Sequence, residues 1–137
     1  MHGMFTVEQM REELTSLGIK ELRTSQEAEQ ALNEKKGTVL LVFNSVCGCA
    51  AGNARPAVKF ALQNNKKPEK LFTVFAGQDK EATMKAREYI KNYPPSSPSI
   101  ALFKDGEVVS MIERSSIEGR TSEEISADLK KLFDKYC

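Results

Sequence analysis

The sequence predicts an α/β fold: a central mixed sheet of about five strands, flanked by helices, with an extra helix at its N-terminal side. Three observations carry this. The runs "TVLLVFNS" (38–45) and "KLFTVFAG" (70–77) are of strand length and apolar at consecutive positions, the pattern of strands covered on both faces. Helical patterns alternate with them, which argues for a parallel sheet. A final pair of strands is joined at Lys104-Asp105-Gly106, and Asp-Gly is a strong hairpin turn, so antiparallel strands close one side.

Each element has its own warrant. Residues 6–17 read as a helix, capped by Thr6 with Gln9 three residues on; Val7, Met10, Leu14 and Leu17 share one face, and Gly18 stops it. A short strand follows at 20–22. Thr24 and Ser25 offer caps for a second helix reaching about Glu34, with Ala28, Ala31 and Leu32 inward and Gly37 ending the unit. After the first buried strand comes an alanine-rich helix over 50–64, in which Pro56 either makes a kink or marks the first full turn. The second buried strand leads into a helix capped by Asp79. "YPPSSPS" (93–99) breaks regular structure, and Ile100–Phe103 with Val108–Ile112 form the hairpin. Residues 113–120 are a loop. A last amphipathic helix, 121–136, opens with Thr121-Ser122-Glu123-Glu124 and buries Ile125, Leu129, Leu132 and Phe133. The order is αβαβαβα and then ββα, and a right-handed crossover lays helix 50–64 on one sheet face. This is the element order of the thioredoxin fold.

At 137 residues the chain fits one domain, taken as 4–137, large enough to bury a core without a disulfide staple. Met4 reads as the native start and Met1-His2-Gly3 as an appended remnant, which leaves His2, the only histidine, outside any mechanism. With 20 Lys+Arg against 19 Asp+Glu, charge gives no reason to expect nucleic acid or an anionic membrane as partner. Lys66, Lys67 and Lys70 read as a solvated loop face. The longest apolar stretch, Val39 to Phe43, is far too short to span a bilayer. No basic segment followed by an apolar one opens the chain, and three cysteines are an odd number; both point to a reducing cytosol.

The chemistry concentrates in "NSVCGCAAGNARP" (44–56), which sets Cys47 and Cys49 one glycine apart. In such sheets, functional groups gather where parallel strands end and helices begin. There the N–H groups and positive end of helix 50–64 favour a Cys47 thiolate over a thiol. Gly48 gives the backbone the freedom a tight Cys-x-Cys ring needs, and a strained ring is easily reduced. Three readings stand at this point: a redox couple, a two-thiolate site for a soft ion such as Cu(I), or two small buried thiols. A redox-inactive interaction module is a further one, disfavoured by the presence of both cysteines.

"NSVCGCAAG…ARP", "TVFAGQDKEAT", "PPSSPSIAL" and "IEGR", in this order and spacing, resemble the bacilliredoxins, thioredoxin-like proteins with a Cys-Gly-Cys active site. The resemblance runs from Met4 to Cys137. It implies a cytoplasmic thiol–disulfide oxidoreductase that removes bacillithiol from S-bacillithiolated client proteins, with protein disulfide isomerase activity as the alternative. By the same resemblance, Cys47 attacks the mixed disulfide, and Cys49 or a second bacillithiol releases the adduct. No bound cofactor or metal is implied. The electron donor is a low-molecular-weight thiol or a reductase.

Ser97-Pro98 matches the thioredoxin-fold position of a cis-proline opposite the active cysteine, where the Ser97 backbone can receive an extended substrate as an added strand. Topology brings the loop 113–120 to the same edge, with Arg114 and Arg120 as candidate partners for the bacillithiol carboxylates. The turn Gly77-Gln78-Asp79 lies there too, making Gln78 a candidate contact. Cys137 is expected to be exposed and passive: the last helix runs away from that edge for about 15 residues, roughly 22 Å.

Overall fold

The structure, a computed structural model, describes residues 6–137. The expectations for Met1-His2-Gly3, His2 and Met4 lie outside the described residues. Five strands form one sheet in the order β1-β3-β2-β4-β5. In it β1 (Lys20–Glu21), β3 (Lys70–Phe75) and β2 (Thr38–Asn44) are parallel, while β4 (Ser99–Lys104) and β5 (Glu107–Ile112) run antiparallel. The helices are α1 (Val7–Thr15), α2 (Ser25–Asn33), α3 (Arg55–Ala61), α4 (Lys80–Arg87) and α5 (Ser122–Tyr136). This is the predicted order, element for element.

β2 is the middle strand and is buried along its whole length. Its alternate side chains supply two cores, because successive residues of a strand point to opposite faces. Leu40 and Val42 meet Leu14, Ala57, Val58, Ile125, Leu129 and Phe133 on the face covered by α1, α3 and α5. Val39, Leu41 and Phe43 meet Ala28, Leu32, Ala82 and Ala86 on the face covered by α2 and α4. A strand flanked this way must be apolar at every position, which is why its sequence shows no alternation.

Capping chemistry sets the helix starts. Thr6 with Gln9, Thr24 with Glu27 and Thr121 with Glu124 each form a reciprocal capping box. The β4–β5 hairpin turns on Asp105 and Gly106, both at positive φ (50° and 86°), as a two-residue type I′ turn requires.

Two details depart from the sequence reading. The helix predicted over 50–64 begins as a π-helical turn, Ala50–Ala54, and becomes α-helical only over α3. Pro56, in the first turn of α3, has no N–H for the Gly52 carbonyl and its ring crowds that carbonyl. The wider turn, closed by the Arg55 N–H on the Ala50 carbonyl, accommodates it. Asp79 occupies the N-cap position of α4 but its side chain makes no cap hydrogen bond. Its carboxylate instead accepts two hydrogen bonds from buried Arg11, at 2.6 and 3.2 Å.

Candidate active site

β2 delivers the chain to its C-terminal edge at Asn44. Ser45 follows, buried, then exposed Val46, and Cys47 at the mouth of the next helix. The Cys47 carbonyl accepts from the N–H groups of Ala50 and Ala51, at 3.1 and 3.3 Å, so the helical turn starts directly behind the thiol. Both thiols are reduced and half-buried, and their sulfurs share a hydrogen bond at 2.7 Å.

The two thiols are electrostatically unequal. Burial pushes the Cys47 thiol up, but hydrogen bonds from the Cys49 thiol, the Ser45 hydroxyl and the backbone N–H groups of Ala50 and Cys49 outweigh it. The result lies below the ordinary thiol value, as expected for a sulfur at a helix start. Cys49 goes the other way. Its burial, its hydrogen bond to Cys47 and the negative charge there raise it, and Arg114 offsets this only in part. Deprotonation therefore begins at Cys47, with Cys49 as the proton-bearing neighbour.

Gly48 has no special geometry here. Its φ is not positive, and a Cβ at this position would meet nothing within 4 Å. The reduced loop does not require glycine, so the expected need for backbone freedom does not show in this state.

The peptide bond Ser97-Pro98 is cis. Phe43 pairs with Ser99, the last pair of the β2–β4 ladder, so Ser97-Pro98 lies just beyond the C-terminal end of β2. Arginines hold this segment from two sides. Arg87 lies over the Phe43 ring and donates to the Ser96 carbonyl at 3.3 Å. Arg114 donates to the Ser97 carbonyl at 3.1 Å and its backbone N–H donates to the Ser96 hydroxyl at 3.3 Å. Contrary to expectation, only half of the Ser97 backbone is available to an incoming strand. Its carbonyl is occupied by Arg114; its N–H has no partner among the described residues.

The other candidates separate. The Arg114 guanidinium pairs with Glu118 at 3.2 Å. Its own pKa is raised, first by Glu118 and then by the field of Cys49 and Cys47, so the guanidinium lies within electrostatic range of the thiols. Arg120 is not brought there: its guanidinium is engaged by the Ser116 carbonyl and, at 2.7 Å, by Asp128 of α5. What Arg120 contributes near the site is its backbone carbonyl, which accepts from Asn53 in the π-helical turn. Gln78 is exposed on the turn after β3, next to the end of β2, and makes no side-chain hydrogen bond among the described residues. Cys137 is exposed and lies near Thr38, at the far end of β2, so seven strand residues, about 20 Å, separate it from the Cys47 edge. Among the described residues no group of three or more His, Cys, Asp or Glu converges as a metal site, and no helix is long and apolar enough to cross a membrane.

Sequence reasoning missed two buried arginines at this edge, Arg11 and Arg55, 5% and 2% exposed. Arg11 binds Asp79 and Glu21 and stacks over the Phe75 ring. Arg55 binds Glu13, the Asn44 amide oxygen and the Ser45 carbonyl. A signal was present: Arg11 sits three residues before Leu14, and Arg55 three before Val58, each on the apolar stripe of its helix.

Comparison with known proteins shows the family and the fold. A family described as Disulphide isomerase matches residues 3–137. A bacilliredoxin of Geobacillus kaustophilus is 55% identical over 132 residues, 96% of this chain and 91% of that one. One from Staphylococcus haemolyticus is 53% identical over 137 residues, covering 100% of this chain and 92% of its own. Among solved structures, Fasciola hepatica thioredoxin superimposes with a TM-score of 0.57 at 20% identity, covering 87% of this chain and 100% of that one, which shows the fold. The chain is thus a thioredoxin-fold thiol oxidoreductase, and it belongs to the bacilliredoxin family.

Proposed function

We propose that the protein removes bacillithiol from S-bacillithiolated proteins in the cytosol, with Cys47 as nucleophile and Cys49 as resolving thiol. The observation that carries this is the pair itself: two reduced sulfurs 2.7 Å apart at a helix start, one thiol shifted down and the other up. The Cys47 thiolate attacks the bacillithiol sulfur of the mixed disulfide. That bond breaks, the client cysteine leaves as a thiolate and takes a proton from water, and a Cys47–bacillithiol disulfide forms. Its formation removes the negative charge that held the Cys49 proton. Cys49 then ionises and attacks the Cys47 sulfur, expelling bacillithiol as a thiolate and leaving a Cys47–Cys49 disulfide. Two electrons from a low-molecular-weight thiol or a reductase restore the dithiol, and no bound cofactor takes part.

In this reading Arg114 receives a carboxylate of the departing bacillithiol, exchanging its pairing with Glu118 for one with the ligand. Ser97 contributes its free N–H to the client, and Gln78 lines the neighbouring rim. Release of free bacillithiol from a modified client, followed by chromatography, tests the reading. Wild type should release it through repeated turnovers given a thiol donor, and Cys47→Ser should release none. Release by Cys47→Ser at the wild-type rate refutes the assignment.

A second reading, isomerisation or reduction of protein disulfides, is favoured by the Ser97 N–H, which has no partner among the described residues and can hold an extended protein segment. Refolding of a scrambled disulfide protein at a rate above that of Cys47→Ser supports it; equal rates exclude it.

A further inference from the structure

Arg55 is the largest fully buried side chain of the described residues, and its charge is an expensive group to keep under a sheet edge. An apolar residue of like volume would pack there without that penalty. The guanidinium is not even fully satisfied, since its Nη2 has no hydrogen-bond partner. Stability therefore does not explain it well, and its contacts suggest another purpose. Two of its three acceptors belong to Asn44-Ser45, the dipeptide that feeds into Cys47.

Ser45 is held on every side. Its carbonyl accepts from Arg55 Nη1 at 2.9 Å. Its N–H donates to Asn44 Oδ1, also at 2.9 Å, and that same oxygen accepts from Arg55 at 2.9 Å. Asn44 is fixed in turn by donating to the Met10 carbonyl of α1. With its backbone locked, Ser45 accepts the Cys47 N–H on its hydroxyl oxygen at 3.2 Å, which keeps that hydroxyl at Cys47, where it helps to lower the thiol.

We propose that Arg55 is a positioning residue for Cys47: it locks Ser45 from beneath, through the Ser45 carbonyl and the shared Asn44 oxygen, so that the Ser45 hydroxyl stays on Cys47, bonded to its backbone N–H beside the thiol. The proposal rests on the reading of Cys47 as the nucleophile. The charged groups around the pair are Arg114 and Glu118 from the loop after β5, and Arg55 with Glu13 from the side of α3 and α1. Arg55 acts on Cys47 through Ser45, whereas Arg114 acts on the sulfurs directly.

The test uses a Cys49→Ser, Cys137→Ser background, in which Cys47 is the only thiol of the three cysteines. The pH midpoint of its alkylation by iodoacetamide is measured alone, with Arg55→Lys, with Ser45→Ala, and with both. Each single change should raise the midpoint by about half to one pH unit and slow labelling below it roughly three- to tenfold. The double variant should match Ser45→Ala alone, because a relay cut at either point is cut once. A merely structural role of Arg55 would shift the unfolding curve and leave the midpoint where it was. That result, or additive shifts in the double variant, overturns the proposal. Where far-UV circular dichroism shows Arg55→Lys unfolded, Arg55→Gln, which keeps an N–H donor, replaces it with the same expectations. Ser45→Ala with an unchanged midpoint overturns the relay on its own. A parent midpoint in the ordinary thiol range overturns the activated nucleophile and the relay together; a low parent midpoint that no variant moves overturns the relay alone.

Discussion

Replacing Asp79 with serine separates two accounts of the β3–α4 turn. Serine is as good an N-cap as aspartate, so if Asp79 served mainly to cap α4, Asp79→Ser would be nearly neutral. In the structure the cap bond is missing, and the carboxylate, with its side chain 10% exposed, binds Arg11, whose side chain is 6% exposed. Serine removes two of the three short hydrogen bonds of that guanidinium and leaves Glu21 at 2.7 Å as its remaining close partner. Hydrogen bonds to charged groups contribute about 1.5–3 kcal/mol, and breaking a buried ion pair costs about 3–5 kcal/mol. Because Glu21 still compensates the charge, the lower end applies, about 3 kcal/mol. With a urea slope of about 2 kcal/mol/M, the unfolding midpoint should fall by about 1.5 M at unchanged slope. Urea denaturation followed by far-UV circular dichroism reads this directly. A fall of less than about 0.3 M would refute the ion-pair account and restore the cap.

Four other outcomes follow from the site. Gly48→Ala should leave the reduced protein's stability within about 0.5 kcal/mol of wild type, since a Cβ there meets nothing; a loss beyond about 1 kcal/mol in thermal unfolding contradicts that packing. Limited iodoacetamide labelling near pH 7 should modify Cys47 well before Cys137, whose thiol, though the residue is exposed, is raised by partial desolvation, and peptide mapping gives the order. Because folding lowers the Cys47 value, that thiol alone contributes stability above the ordinary thiol range, lost as pH falls through the Cys47 value, while the raised Cys49 and Cys137 thiols work in the opposite sense; comparing urea unfolding of wild type and Cys47→Ser across pH isolates the Cys47 share. Arg114→Gln should raise KM for a bacillithiolated substrate about fivefold with little change in kcat, and should leave a substrate modified by an uncharged thiol unaffected; equal effects on both would remove the carboxylate role.

Most of the fold was legible because its signals are local. Three Thr-x-x-Glu/Gln boxes, an Asp-Gly turn and two unbroken apolar runs each specify their own geometry without long-range help. The thiol pair was legible for the same reason: a strand end followed by a helix start can be read along the chain. What stayed hidden depends on partners far apart in sequence. Asp79 has the residue type and position of a cap, and only the arrival of Arg11, 68 residues away, draws its carboxylate elsewhere. Arg120 and Arg114 share one loop, yet Asp128 holds the first and Ser97 the second, a choice that spacing cannot express. Pro56 announced a local disturbance, but a kink, a first turn and a π-helical turn all answer the same missing N–H.

The division of labour between Cys47 and Cys49 is the central claim, and intact-mass analysis of the Cys49→Ser protein mixed with an S-bacillithiolated client tests it most directly. That variant keeps the nucleophile and lacks the neighbour that would discharge it. The account predicts one bacillithiol on Cys47 and an equivalent loss of the modification from the client. An unmodified variant beside a still-modified client, with Cys47 reduced and open to alkylation, would contradict it.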